Sequence, residues 1–305
     1  MKKERSVLGR MHYYKGVYLL AILPFAYLLL FKYLPMFGIY IAFTDFNPMK
    51  GIFASPFVGL KHFKRLFMYP DILLRLLRNT FVISGMRIIF AFPIPIILAI
   101  LLNEKRNQFS KRIVQTVLYL PHFISLVVIA SITYIILSPS SGIINFILTK
   151  LGIAPISFIY KQAYFRWIIV LQSIWKNSGW ATIIYLAALS GIDPNLYDAA
   201  DIDGVGRFGR IFYISLPGIM NTIIILLILR IGKLINENFQ QIFLMLNSLT
   251  WEVGDVFETY VFRMGIELGK VSFAAAVGFF KAVVALIMVI SANKIARMYG
   301  HKGVY

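Results

Sequence analysis

Apolar residues in this chain fall in long runs rather than in the spaced stripes of a water-soluble fold. Six runs stand out, at about 17–43, 79–102, 113–137, 164–189, 218–246 and 273–292. Each approaches or exceeds the roughly 20 residues that a helix needs to cross a bilayer. The pattern therefore predicts an all-α, polytopic membrane protein with six transmembrane helices. Pro24 and Pro35 in the first run, and Pro93 and Pro95 in the second, predict kinks. Pro121 and His122 fall inside the third run, and His122 reads as a packing residue. Lys32 sits where its stem can snorkel to the interface. Between the first two runs, Leu60, Phe63, Leu66 and Phe67 recur at helical spacing among Lys61, Lys64 and Arg65. That alternation predicts an amphipathic helix lying in the interface.

The polar segments then order the chain. A basic tail (1–16) precedes one membrane domain (17–292), and a second basic tail (293–305) follows it. An even number of crossings puts both tails on one side. The tails and the short turn at 103–112 are rich in Lys and Arg, which assigns that side to the cytoplasm. The loop after the first run holds six basic residues and runs against this rule; a folded interfacial element there accounts for it. The last outer loop, 247–271, is acidic, with Glu252, Asp255, Glu258 and Glu267.

Composition narrows the function. The 305 residues are 59% hydrophobic, above the usual level for a soluble domain. The net charge of +18 would suggest nucleic acid in a soluble protein; here it belongs to inner loops and their contact with anionic membrane lipid. No cysteine is present, so disulfide frameworks and thiolate metal sites are excluded. The basic N-terminus lacks a short apolar region ending in a small-residue cleavage site, so the first run reads as a retained span. The phosphate-binding pattern G-x-x-x-x-G-K-[ST] does not occur, and neither do H-E-x-x-H or G-x-S-x-G. The chain therefore reads as no enzyme, with no catalytic residues, no metal and no cofactor of its own.

The most informative polar stretch is 196–217, LYDAADIDGVGRFGRIFYISLP. Asp193-Pro194 is a helix start, a capping side chain followed by Pro at a position that needs no donor. Asp198, Asp201 and Asp203 suit the early turns of a helix. Ala199 and Ala200 are small and let another surface approach closely. Gly204 and Gly206 permit a sharp turn. Phe208, Ile211 and Phe212 return the chain to the membrane, and Pro217 marks re-entry. The stretch predicts a short helix held outside the bilayer between two spans.

Two groups of polar residues lie within spans. Arg230, Lys233, Glu237 and Gln240 or Gln241 recur every three to four residues on one face of the fifth run. Charges at membrane depth cost about 2.5–3.5 kcal/mol each on insertion scales, so this face turns to water or to protein. Two readings stay open: it lines a path for a polar or anionic solute, or Lys233 and Glu237 pair and hold helices together. The fourth run carries Gln172, Trp175, Lys176, Asn177 and Trp180. Rings beside hydrogen-bonding groups suit a sugar, while tryptophans at an interface also serve as membrane anchors. Lys281 is a weaker candidate of the same kind.

Asp198-Ala199-Ala200, then Gly204, then Ile214-x-Leu216-Pro217 resembles the "EAA" loop of permease subunits of binding-protein-dependent ABC importers, with Asp198 in place of the leading Glu. Gly59-Leu60-x-x-Phe63 and Gly142, Asn145 and Gly152 resemble segments of sugar permeases. Gly254-Asp255-Val256, Thr259-Tyr260-Val261, Arg263 and Gly265, with Ser272-Phe273, Ala275-Ala276 and Gly278, resemble the polysaccharide and oligosaccharide branch of Gram-positive bacteria. Asn247 to Glu252 stand where the wider family often has Gly-Gly-Pro. The resemblance implies the type I importer fold, with Tyr197, Asp198, Ala199, Ala200, Asp201, Asp203, Gly204, Val205 and Gly206 coupling to an ATPase. It implies a second, non-identical permease subunit, two cytoplasmic ATPase subunits, an extracellular solute-binding lipoprotein and an oligosaccharide cargo in the plasma membrane. A non-sugar solute on the same machinery is the alternative. A stand-alone carrier should show inverted repeats, and none is evident.

Overall fold

The computed structural model describes residues 13–105, 107–232 and 239–298. Lys233 and Glu237 lie outside them, as do the ends of both tails. The chain divides into two compact units, Met1–Met68 with Arg263–Phe279, and Tyr69–Phe262 with Phe280–Tyr305. Among the described residues the regular structure is helical, apart from one isolated antiparallel bridge between Thr44 and Phe57.

In the first unit, helix α1 (Lys15–Phe43) is 29 residues long, and its most apolar stretch buries nothing. Pro24 and Pro35 change its winding rather than break it. A wide turn follows at Leu29–Tyr33, and Leu34–Phe43 tightens to three residues per turn. Helix α2 (Lys61–Met68) is the amphipathic helix, with a modified inner face. His62 and Leu66 are buried, whereas Leu60 and Phe67 are exposed. His62 Nε2 lies 3.1 Å from Thr44 O and 3.0 Å from Asp45 Oδ1. Phe43, Phe63 and Phe279 pack tilted or edge-on at 5.2–6.0 Å, and Ser272 Oγ accepts from Phe46 N at 2.8 Å. Lys61 donates to Asp45 Oδ2 at 2.6 Å, which with His62 holds the Asp45 carboxyl below its usual range.

The second unit is built on two long helices, α3 (Pro70–Asn103) and α7 (Gln162–Leu189). Helix α3 starts at Pro70, earlier than the apolar run, because Pro70 and Asp71 make a sound first turn. A wide turn at Arg87–Ala91 absorbs Pro93. Ala99, Tyr185, Leu189 and Ile219 form one core cluster near the C-terminal ends of these helices. Ile83, Phe165, Ile169, Ile242 and Met245 belong to another.

The third apolar run is not one straight span. It forms α4 (Gln108–Phe123) and α5 (Leu126–Ile136), which meet at 100°. Ile124 is extended and Ser125 caps α5, its Oγ accepting from Val128 N at 3.3 Å. A break there frees carbonyls that lipid will not satisfy. Lys176, from α7, supplies the donor: its Nζ reaches His122 O at 2.8 Å and also Ile124 O. Helix α6 (Ile143–Lys150) follows in the connecting loop. Asn145 ties that loop, donating to Ser138 O and Ile156 O, both at 3.0 Å, and accepting from Ile156 N at 2.7 Å.

After α7 come α8 (Pro194–Ile202), α9 (Arg207–Gly218) and α10 (Met220–Gly232), with a 59° bend at Ile219. The remainder comprises α11 (Phe239–Met245), α12 (Trp251–Gly254), α13 (Phe257–Phe262) and α14 (Val271–Met298). Among the described residues, three helices are long and apolar enough to cross a membrane, or five elements if each bent pair counts once. Helix α7 has the length, about 42 Å at 1.5 Å per residue, but carries Arg166, Gln172, Lys176 and Asn177.

Gly179 marks the closest crossing. A Cβ there would sit 1.9 Å from Leu118 O, whereas at Gly85, also helical, nothing lies within 4 Å. Gly179→Val should lower the apparent Tm in detergent sharply or abolish recovery of folded protein. Gly85→Val should stay within a few degrees of the parent. Equal behaviour of the two variants would show that the α4–α7 crossing is not this tight.

Candidate functional site

The hook at 196–217 is the best-defined candidate. Asp193 caps α8 by accepting from Asn195 N at 2.9 Å, with Pro194 in the first turn. The helix ends on Gly204 at φ +70°, with Val205 N donating to Ala200 O at 2.9 Å and Gly204 N to Asp201 O at 3.3 Å. This closure needs a left-handed residue, and glycine takes it without strain. Gly206, also read as a turn glycine, instead has φ −65° and ψ 171°, which any residue adopts. Two side-chain links fasten α8 to α9: Asp201 pairs with Arg210, and Tyr197 Oη lies 2.9 Å from Ser215 Oγ.

These links set the orientation. Ala200 is only 7% exposed and packs against its own chain, so it is not part of the presented surface. Asp198, Ala199, Ile202 and Asp203 are exposed, as is Gly204, while Val205 is half-buried. Ile202, Phe208 and Tyr213 are each at least 79% exposed, and Phe212 is exposed too. The sequence reading placed both alanines outside; helix rotation about the Tyr197 and Asp201 anchors turns one in.

The polar residues of the spans separate into distinct places. Gln172 and Gln241, read as candidates for a solute path, bond to each other inside the protein. Gln241 Nε2 donates to Gln172 Oε1 at 3.0 Å and to Ile169 O at 2.8 Å, and Gln172 Nε2 donates to Thr133 Oγ1 at 2.7 Å. Arg87 Nη2 completes the chain, donating to Gln241 Oε1 at 2.9 Å. Arg87 is 1% exposed and escaped the sequence reading. Its signal was available: a charge within an otherwise apolar run has an internal partner by default.

Asn177 and Arg230, expected from two different spans, do converge. They share a cavity of about 150 Å³ with Ser173, Ser178, Tyr185 and Phe92. Trp180 lies elsewhere on α7, stacked on His122 with centroids 4.7 Å apart and planes within 6°. His122 is thus a packing residue whose ring faces another ring. Trp175 turns away from Asn177 and lines a separate apolar groove with Trp167 and Leu171. Lys281, from α14, is committed to Glu258 at 2.8 Å.

At the far end of α7 the acidic loop meets three arginines. Arg78 Nη2 donates to Glu252 Oε1 at 2.7 Å, and Arg75 lies 3.7 Å from Glu252 and 3.8 Å from Asp255. Asn79 donates to Glu252 O and Asp255 O, and itself accepts from Arg166 Nη2 at 2.8 Å. The Arg78 hydrogen bond, with help from Arg75, holds the Glu252 carboxyl below the usual carboxylate range. Stability from a lowered carboxylate is present above its ordinary pKa and is lost as pH falls through the lowered value. Glu252 is half-exposed, so its contribution is small. Amide exchange at 249–256, taken relative to its intrinsic rate at each pH, should rise in the wild type only as pH falls below the ordinary carboxylate range. In Arg78→Gln it should be raised already at neutral pH; exchange unaltered by the substitution would remove this link.

Comparison with known proteins agrees with this geometry. Residues 91–299 match the family described as binding-protein-dependent transport system inner membrane component. The chain is 48% identical to Protein LplB of Bacillus subtilis (strain 168) over 291 residues, covering 95% of this chain and 91% of LplB. It is 44% identical over 304 residues to the polygalacturonan/rhamnogalacturonan transport system permease protein YteP of the same organism, covering 100% of this chain and 94% of YteP. Among solved structures, it resembles a chain of a bacterial ABC transporter involved in import of the acidic polysaccharide alginate, at TM-score 0.88 and 36% identity, covering 95% of this chain and 97% of that one. A bacterial alginate ABC transporter in complex with alginate pentasaccharide-bound periplasmic protein gives 0.90 and 35%, covering 98% and 100%. With a capped hook outside the apolar helices, and with the family match covering well over half its length, this chain belongs to the inner membrane components of binding-protein-dependent transport systems.

Proposed function

We infer that this chain is one of two permease subunits of an ATP-driven importer that carries an acidic oligosaccharide across the plasma membrane by alternating access. The observation that carries this reading is the hook itself. Helix α8 is short, capped at both ends and fastened to α9, with Asp198, Ala199 and Ile202 turned outward. Such an element transmits a push as a rigid body. ATP is hydrolysed on separate cytoplasmic subunits docked there, six crossings put both termini on that side, and a binding lipoprotein delivers the cargo outside. The relatives' cargoes support an acidic sugar.

Arg230 and Asn177 are the residues of this chain suited to that cargo. A guanidinium matches a carboxylate with paired hydrogen bonds, and an amide serves hydroxyls. Their shared cavity of about 150 Å³ is small, so it takes part of one residue rather than a whole oligosaccharide. Trp180, stacked on His122, offers a ring face to a sugar at the bend of α4 and α5. The roles of Lys233 and Glu237 in the same path remain part of this proposal.

Cysteines at Ala199 and Ile202 should cross-link to an ATPase subunit in membranes, whereas one at the buried Ala200 should not. Cross-links to lipid or to nothing at all three positions would remove the docking role. Arg230→Gln should cut uptake of an acidic oligosaccharide by about tenfold or more while ATPase docking persists, and Arg230→Lys should restore part of it. Full uptake by Arg230→Gln would take this arginine off the path.

A further inference from the structure

Residues of α5 and α7 line an almost wholly apolar groove of about 490 Å³. Ile132 and Ile136 form one wall, and Trp167, Leu171 and Trp175 form the other. The α7 wall extends from Tyr164 to Trp175, a rise of about 16 Å at 1.5 Å per residue. Half of a bilayer's roughly 30 Å hydrocarbon core has the same depth. The groove is therefore as deep as one leaflet. Trp167, Leu171 and Trp175 are 44–60% exposed, so the wall is open along its length.

One end of this groove is polar. Trp167 also lines a second cavity, of about 350 Å³, together with Arg166, Gln162, Phe90 and Val253. The Arg166 guanidinium has five N–H donors. Two go to Val253 O at 3.0 Å and Asn79 Oδ1 at 2.8 Å. The remainder of the fork stays available at that cavity. Nearby, Arg75 and Arg78 face Glu252 and Asp255, so with Arg166 the cluster holds three cations against two carboxylates. Trp167 joins the two spaces, and aromatic rings of this kind favour the headgroup level.

We propose that this surface binds one anionic phospholipid from the surrounding bilayer, in the leaflet away from α8. Its phosphate sits at Arg166 and one acyl chain lies along the groove between α5 and α7. Charge complementarity selects the headgroup, and the leaflet-deep apolar wall selects the chain. The site lies on the opposite face of α7 from Asn177. The assignment of leaflet rests on the permease reading; the site itself does not.

The test uses the purified full-length complex in mixed micelles, with phosphatidylglycerol and phosphatidylcholine of identical chains as probes. Native mass spectrometry counts retained lipid, and bromine on the acyl chain reports contact by quenching Trp167 and Trp175. The wild type should retain phosphatidylglycerol over phosphatidylcholine by roughly tenfold, the scale of one charge-assisted Arg–phosphate contact. Arg166→Gln should abolish that preference. Because Arg166 also braces Asn79 and Val253, a second variant is needed: Ile132→Phe with Leu171→Phe fills the groove and leaves the arginines alone. It should lose lipid and quenching together at unchanged Tm. Equal retention of the two lipids by the wild type, or unchanged retention in the groove-filling variant, overturns the proposal. Cross-linking of Ile202→Cys to an ATPase subunit, measured in parallel, reports on the permease reading separately.

Discussion

Two side-chain links, Asp201 to Arg210 and Tyr197 to Ser215, decide what the rest of this structure can do. Helix α8 is nine residues long, too short to be stable alone in water. Its shape comes from its caps and from those links. Without them a push on α8 would unwind or swivel it. With them, α8 is tied to α9 and, through the bend at Ile219, to α10, which carries Arg230. Gly218 supports the corner, since a Cβ there would come 2.5 Å from Ile192 Cδ1. The line from hook to cavity is therefore continuous in covalent chain and in packing.

The second constraint is lipid itself. Every polar group within the membrane must be answered by the protein. Lys176 answers the carbonyls at the α4–α5 break, and Arg87, Gln241, Gln172 and Thr133 answer one another in a closed row. Such a row fixes the register of α3, α5, α7 and α11 at once, because shifting any one helix orphans a buried partner. Thus α7 divides its labour. Gln172 and Lys176 brace neighbours, Asn177 faces the small cavity, and Trp167, Leu171 and Trp175 face outward.

Much of this could be read from residues. The apolar runs announced a helical membrane protein, and the spacing from Asp198 to Pro217 announced the hook, because local caps and turns depend on near neighbours. What stayed hidden depends on distant ones. The third run looks like a span, and its break is legible only with Lys176 at hand, more than fifty residues on. Ala199 and Ala200 are alike as letters, and only the anchors from Tyr197 and Asp201 decide which one turns inward. Gln172 and Gln241 read as candidates for a solute because polar residues in apolar runs need partners; the bond between them depends on residues about seventy positions apart. Arg87 was passed over although the same rule pointed to it.

The central claim is that α8 transmits force because it is fastened to α9. The direct measurement is the ratio of solute imported to ATP hydrolysed, in vesicles reconstituted with the whole complex carrying Tyr197→Phe and Asp201→Asn together. The account predicts that the ATPase subunits still dock and hydrolyse ATP while import falls by an order of magnitude or more. An unchanged ratio in that double variant would contradict it.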